Sequence, residues 1–230
     1  GKEISPKRVS RGWGAVCVLT CLTPILLGFG IPVSVLLNFI LQGLAISDSD
    51  ALTSSAINSV LVSMAAAICV VTLASVMVLT VSYRKHPFLN VLAAVSATGY
   101  AFPGVVLAIG VVSFSGALDG FIATVGEDVL GIPSNGVLIG SVALLILAYV
   151  TRFQAIGYGA LSSGVQRIPP NIMNAGFVLG RGFSGTMISL APRLLRSSMM
   201  AAGLLVFVDV MKELPMTLLL RPFNFDTLAT

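Results

Sequence analysis

Three ionisable residues stand close together near the C-terminal end of the 230-residue chain, Asp209, Lys212 and Glu213, with Pro215 just beyond them. The surrounding stretch, about Leu194 to Leu220, is otherwise almost entirely apolar. Spacings of three and four put the charged groups on one helical face. Charges at membrane depth are costly, so they pair or face a polar cavity. Lys212 can pair with either acid, and Pro215, which has no N–H, frees the carbonyl near Met211. Two readings fit this pattern. The carboxylates can line or gate a path for a hard cation, which oxygen ligands suit, or the three groups form a self-neutralising cluster that locks the helix against its neighbours. The residues alone leave both open.

Other side chains offer less chemistry. Cys17 and Cys21, four apart on one face, read as small packing residues, and Cys69 reads as core. An odd number of cysteines, all in apolar stretches, makes no disulfide framework. His86 stands beside Arg84 and Lys85 and reads as part of an interfacial basic cluster. Tyr100 and Tyr149 carry oxygen but read as interface anchors. Asp119, Glu127 and Asp128 read as a solvated acidic outer loop. A single histidine and the lack of a Ser-His-Asp set leave no catalytic residues and no metal-ligand set to name. No Gly-x-x-x-x-Gly-Lys-Ser/Thr phosphate loop occurs, so the chain is not expected to hydrolyse ATP itself.

The elements that must position these residues follow from composition. The chain is 56% hydrophobic and 10% charged, with a mean hydropathy of +1.00, against roughly 25% charged residues in soluble domains. A soluble enzyme and a disordered tail are both excluded, and the expectation is an all-α, polytopic membrane bundle. A crossing helix needs about 20 apolar residues. Five stretches qualify: about Trp13–Leu41, Ala56–Ser82, Val91–Phe114, Gly136–Phe153 and Leu194–Leu220. Pro24 and Pro32 can kink the first span. Gly99 and Phe102-Pro103-Gly104 can bend or unwind the third.

Charge placement orients these spans. Lys2, Lys7, Arg8 and Arg11 precede the first span, Arg84 and Lys85 follow the second, and Arg152, Arg167, Arg181, Arg193 and Arg196 follow the fourth. Those three segments hold eleven of the 13 basic residues and one acid, Glu3, whereas Asp48, Asp50, Asp119, Glu127, Asp128 and Asp226 fall in the alternate segments. The positive-inside rule then places the N-terminus in the cytoplasm and Thr230 outside. The net charge of +4 is a topology signal rather than a sign of nucleic-acid binding. Residues 1–12 read as a cytoplasmic linker and not as a signal peptide, since the apolar stretch that follows is too long.

The segment from about Gln154 to Pro192 is the odd one, cytoplasmic by charge and interrupted by Gly and Pro, yet apolar for a solvated loop. Pro169-Pro170-Asn171 is a helix start, and a short helix from Asn171 would align Ile172, Ala175 and Leu179 on one stripe. Such a stripe fits a partner protein or the membrane surface; a loop folded on its own spans is the alternative.

Two motifs here resemble a known family. Asn174-Ala175-Gly176, three residues, Gly180, and then Leu190-Ala191-Pro192 resemble the cytoplasmic motif of bacterial ABC importer permeases, Glu-Ala-Ala, three residues, Gly, nine residues, Ile-x-Leu-Pro. Asn174 replaces the usual Glu, Gly176 the usual Ala, and the spacing to Pro192 is one residue shorter. The run Val206-Phe207-Val208-Asp209-Val210-Met211-Lys212-Glu213-Leu214-Pro215, continuing from Leu218 to Ala229, closely resembles the ferric-iron branch of those permeases. The resemblance covers nearly the whole chain. It implies the type I importer permease fold over residues 13–230, as most of the second unit of a duplicated permease, lacking the first unit and a final helix. It implies a bacterial inner-membrane location and a coupling helix (Asn174, Ala175, Gly176, Gly180, Pro192) docked on a separate ATP-binding subunit. ATP-Mg would bind on that subunit only. The implied partners are that subunit, a periplasmic ferric-iron-binding protein, the other permease half and membrane lipid, with no nucleic acid. The implied function is ATP-driven ferric-iron import by alternating access, with Asp209, Lys212, Glu213 and Pro215 as candidates for the path or gate. Alternatives are the same architecture for thiamine, a polyamine or a phosphonate, or an ATPase-independent channel or carrier; an intramembrane enzyme is disfavoured because only one span is expected to carry acids.

Overall fold

In hydrocarbon every backbone N–H and C=O must be satisfied within its own segment, which leaves apolar stretches of this length little choice but helix. The computed structural model describes residues 10–43, 49–83, 86–125, 138–169, 178, 180, 182, 185 and 191–230. Every long element among them is helical, and five helices are long and apolar enough to cross a membrane: Arg11–Gly43, Asp50–Ser82, Gly104–Val125, Val142–Val165 and Pro192–Met211. The expected all-α, multi-span class is what the chain adopts. The chain divides into two compact units, Gly1–Ser49 and Asp50–Thr230.

The first unit contains α1 (Arg11–Ile25) and α2 (Ile31–Gly43), joined by a π-helical turn over Leu26–Gly30. The Ile31 N–H donates to the Leu26 carbonyl, five residues back. Pro32 has no N–H to continue the ordinary ladder, so the wider turn falls where the prolines interrupt it. None of the described residues in these elements is buried. Cys17 and Cys21 are therefore exposed rather than packed.

The second unit begins with α3 (Ser49–Tyr83), α4 (Pro87–Ala97), a 3-10 turn over Gly99–Ala101 and α5 (Gly104–Val125). It continues with α6 (Val142–Val165), α7 (Ala191–Met211) and α8 (Pro215–Leu220). His86 caps α4, its Nδ1 accepting from the Phe88 N–H, and Ser141 caps α6 by accepting from Leu144. Helix α6 is the centre. It buries Leu144, Leu145, Ala148, Tyr149, Phe153 and Leu161, against a stripe on α3 that repeats every four residues, Val62, Ala66, Val70, Ala74 and Val78. From α7 come Leu195, Ala202, Val206 and Val210. Cys69 lies off the α3 stripe and is exposed, so the expectation of a core position is corrected. Gly157 and Gly164 set the spacing. A Cβ at Gly157 would lie 2.7 Å from the Val70 Cγ1, and one at Gly164 would collide with the Ser198 side chain. Small residues let helices approach closely in lipid, where packing rather than hydrophobic burial drives association.

Several boundaries differ from the sequence expectation. Helix α6 runs on to Val165, so Arg152 is not a loop residue after the span but sits mid-helix, and the first twelve residues of the 154–192 segment are helical. The expected third span divides into α4 and α5 at the Gly99–Pro103 break. Helix α5 extends past Phe114 to Val125 and includes Asp119. That residue is 7% exposed rather than part of a solvated loop, because its carboxylate accepts from the Leu138 and Ile139 N–H groups (3.1 Å each), holding the turn that enters α6. The expected fifth span breaks between Met211 and Pro215. Residues 221–230 fold back on α3: Asn58 donates to the Asp226 carbonyl (3.1 Å), and the Leu228 N–H donates to Ser59 (2.7 Å).

Candidate functional site

Two helix breaks and one unbroken helix build the site. The first break lies between Ala97 and Gly104, where the chain makes its 3-10 turn and Phe102 becomes extended ahead of Pro103. Pro103 disfavours a helical conformation at Phe102, which explains why the helix ends there. The second break lies between Met211 and Pro215; Pro215 occupies the first turn of α8, where its missing N–H costs nothing. Helix α6 passes between them without interruption and carries Arg152.

The charged face near the C-terminus splits in two. Lys212 pairs with Asp209 (2.5 Å), and its side chain is 69% exposed. Glu213 turns the other way. It is 8% exposed, and its Oε2 lies 3.5 Å from the Arg152 Nε. The sequence expectation let Lys212 neutralise either acid; the structure instead neutralises Glu213 from another helix. Asp119 within α5 shows that the acids are not confined to the last span, and Arg152 within α6 adds a basic group.

Arg152 is held from several sides. Its Nη1 donates to the Phe102 carbonyl (3.1 Å). Its guanidinium carbon lies 5.9 Å from the Tyr100 ring centroid and 5.7 Å from that of Phe153, within range of a cation–π attraction. Glu213 also sits against the first residue of α5: a Cβ on Gly104 would lie 2.5 Å from Glu213 Oε1 and 2.9 Å from Arg152 Nη1. The positive end of a helix dipole favours a carboxylate at that position. Even so, Arg152 Nε and Glu213 Oε1 are buried without a hydrogen bond.

A hydroxyl network adjoins the second break. Thr217 donates to the Glu213 carbonyl, and Tyr149 OH lies 2.6 Å from Thr217 Oγ1. Tyr149 is 2% exposed, so it is a buried strut between α6 and α8 and not an interface anchor. Ser59, Ser63, Tyr149, Thr217 and Thr227 line a cavity of about 10 Å³, roughly the room one water needs. A cleft of about 1030 Å³ between α3, α4, α5 and α6 is apolar apart from residues such as Thr80, Ser96, Thr98, Thr151 and Gln154. Its walls suit hydrocarbon better than an ion, which leaves the charged junction as the candidate site.

Of the expected coupling residues, Gly180 lies in an exposed turn at φ +76, a conformation that favours glycine. Pro192 stands exposed in the first turn of α7. Asn174, Ala175 and Gly176 lie outside the described residues, as do Lys2, Glu3, Lys7, Arg8, Asp48, Arg84, Lys85, Glu127, Asp128 and Arg181. No three His, Cys, Asp or Glu among the described residues gather as a metal site. Sequence reasoning missed Arg152 because a charge beside Gly-rich sequence reads as the end of a span. The available signal was the run Phe153, Gly157, Leu161 and Gly164, spaced by fours and a three, which continues the helix beyond it.

Comparison with protein-family models finds none that matches the chain. Comparison with curated proteins likewise finds no match.

Proposed function

We propose that the chain is a transmembrane permease subunit of an ATP-driven ABC importer that carries ferric iron into the cytoplasm by alternating access. The observation that carries this reading is the charged junction, in which an arginine from the continuous α6 meets two interrupted helices and pairs with the Glu213 carboxylate of the second break. Ionisable groups within membrane helices are costly and mark substrate paths, and broken spans are a recurring way to build such paths. The resemblance of residues 206–229 to ferric-iron permeases supports the cargo, and the 174–192 motif supports an ATPase partner. In this mechanism the partner subunit binds and hydrolyses ATP, and the segment around Gly180 transmits its motion. The spans alternate between outward-facing and inward-facing arrangements. Iron arrives from a periplasmic binding protein and leaves inward, with no covalent intermediate on this chain. Asp209 and Glu213 offer oxygen to the passing cation or govern its access.

The test is reconstitution of the full chain into proteoliposomes with its ATP-binding subunit and the ferric-binding protein. Radiolabelled iron should accumulate only with ATP and only with the binding protein loaded. Uptake at the same rate without ATP would establish a channel or carrier instead. ATP-dependent uptake of thiamine, a polyamine or a phosphonate, with none of iron, would keep the architecture and replace the cargo.

A further inference from the structure

Arg152 touches one atom from each helix break. Through Nη1 it holds the Phe102 carbonyl of the first break, and through Nε it faces the Glu213 carboxylate of the second. It does so from α6, which is continuous and packed along much of its length, so the two breaks share a fixed reference. The rings of Tyr100 and Phe153 seat the guanidinium, and the bare backbone of Gly104 gives both charged groups room to meet.

A pair retained only for neutrality would need none of this. Any cation within reach would serve, and Lys212, the residue beside Glu213, is paired with Asp209 instead. The Arg152–Glu213 pair is also unsaturated, with Nε and Oε1 buried and lacking hydrogen bonds. Buried polar groups without partners are costly, so these two atoms remain open to a further partner.

We propose that Arg152 is a positioning residue that ties both helix breaks to α6, and that its contact with Glu213 opens and re-forms as the last span moves. The inference rests on the proposed transport function only in identifying that motion with the transport cycle. The planar guanidinium fork suits the role, because Nη1 and Nε face Phe102 and Glu213 from separate, rigidly spaced positions, whereas the three donors of an ammonium radiate from one rotatable nitrogen.

The test uses the full chain with Cys17, Cys21 and Cys69 replaced by serine, and spin labels on Phe102→Cys and Leu214→Cys, one exposed position in each break. Dipolar spectroscopy in proteoliposomes, without ATP or iron, reads the distance distribution between the breaks. The parent should give one narrow distribution. Arg152→Lys keeps the charge and should keep the assembled yield, but should broaden the distribution or add a second maximum. A distribution in Arg152→Lys that matches the parent overturns the proposal, since charge alone would then suffice. Arg152→Met with Glu213→Gln, which removes both charges, should broaden it in the same way; an unchanged distribution there also overturns it. Because this measurement needs no transport, its failure is separate from a failure of iron uptake in the unmodified protein.

Discussion

The seam between α6 and α7 and the charged junction beside it are built on opposite principles. At the seam, Gly164 lets Leu195 and Ser198 approach α6 so closely that no side chain fits, and the neighbouring contacts are apolar. At the junction, two helices are interrupted, Arg152 and Glu213 lie 3.5 Å apart, and buried polar atoms on both lack hydrogen bonds. The seam's contacts are close-packed, and any change of shape there costs energy. The junction is held by a few directional contacts that can be exchanged for others. On the proposed transport function, the seam would supply stability and the junction motion.

The largest effect should come from breaking the junction on one side only. Arg152→Ala leaves Glu213 buried without a counter-charge, which costs about 3–5 kcal/mol in comparable buried pairs. Thermal unfolding of the detergent-purified full chain should show a marked loss, and adding Glu213→Gln should recover most of it. Next comes the seam: Gly164→Leu forces side-chain atoms into Ser198 and Leu195, an overpacking worth about 1–3 kcal/mol. Here no charge-neutralising second change should help. A rescue by Glu213→Gln would mean that the two regions are not independent.

Smaller still is Tyr149→Phe, which removes the hydroxyl shared with Thr217 between α6 and α8. A loss of about 0.5–1.5 kcal/mol is expected, readable as a modest shift in the same unfolding measurement. The smallest effect should be Lys212→Ala. Its side chain is 69% exposed, against 16% for that of Asp209, so it lies outside the packed junction and little packing is lost with it. A large loss of assembled protein in that variant would return Lys212 to the junction and undo the division of the charged face.

Much of this was legible in the sequence, and the misreadings share one cause. Apolar length counted five spans, although the third and fourth lie further along the chain than expected, and Phe102-Pro103-Gly104 marked the first break; the second, before Pro215, fell inside a stretch read as one span. Arg152 was misread because span counting treats charge as an end, whereas a guanidinium with aromatic neighbours and an acid opposite can sit mid-helix. Residues 155–165, rich in Gly and Ser, looked broken because glycine is a poor helix former in water. In a bundle the same glycines are the points of closest contact. Asp119 was misread for the related reason that its backbone partners, Leu138 and Ile139, come from a distant turn. The pairing of Glu213 with Arg152 depends on the crossing of α6 past the second break, which no spacing within one helix can encode.

On the proposed function, the Arg152–Glu213 pair serves motion more than stability. The most direct test is the double variant Arg152→Met with Glu213→Gln, measured for thermal unfolding and for ATP-dependent iron uptake in proteoliposomes beside the parent. Neutral residues of similar size can replace a buried pair without loss of stability, so the variant should unfold near the parent's temperature while its uptake falls to background. A double variant as unstable as Arg152→Ala alone, or one that transports iron at the parent's rate, would rule out that role for the pair.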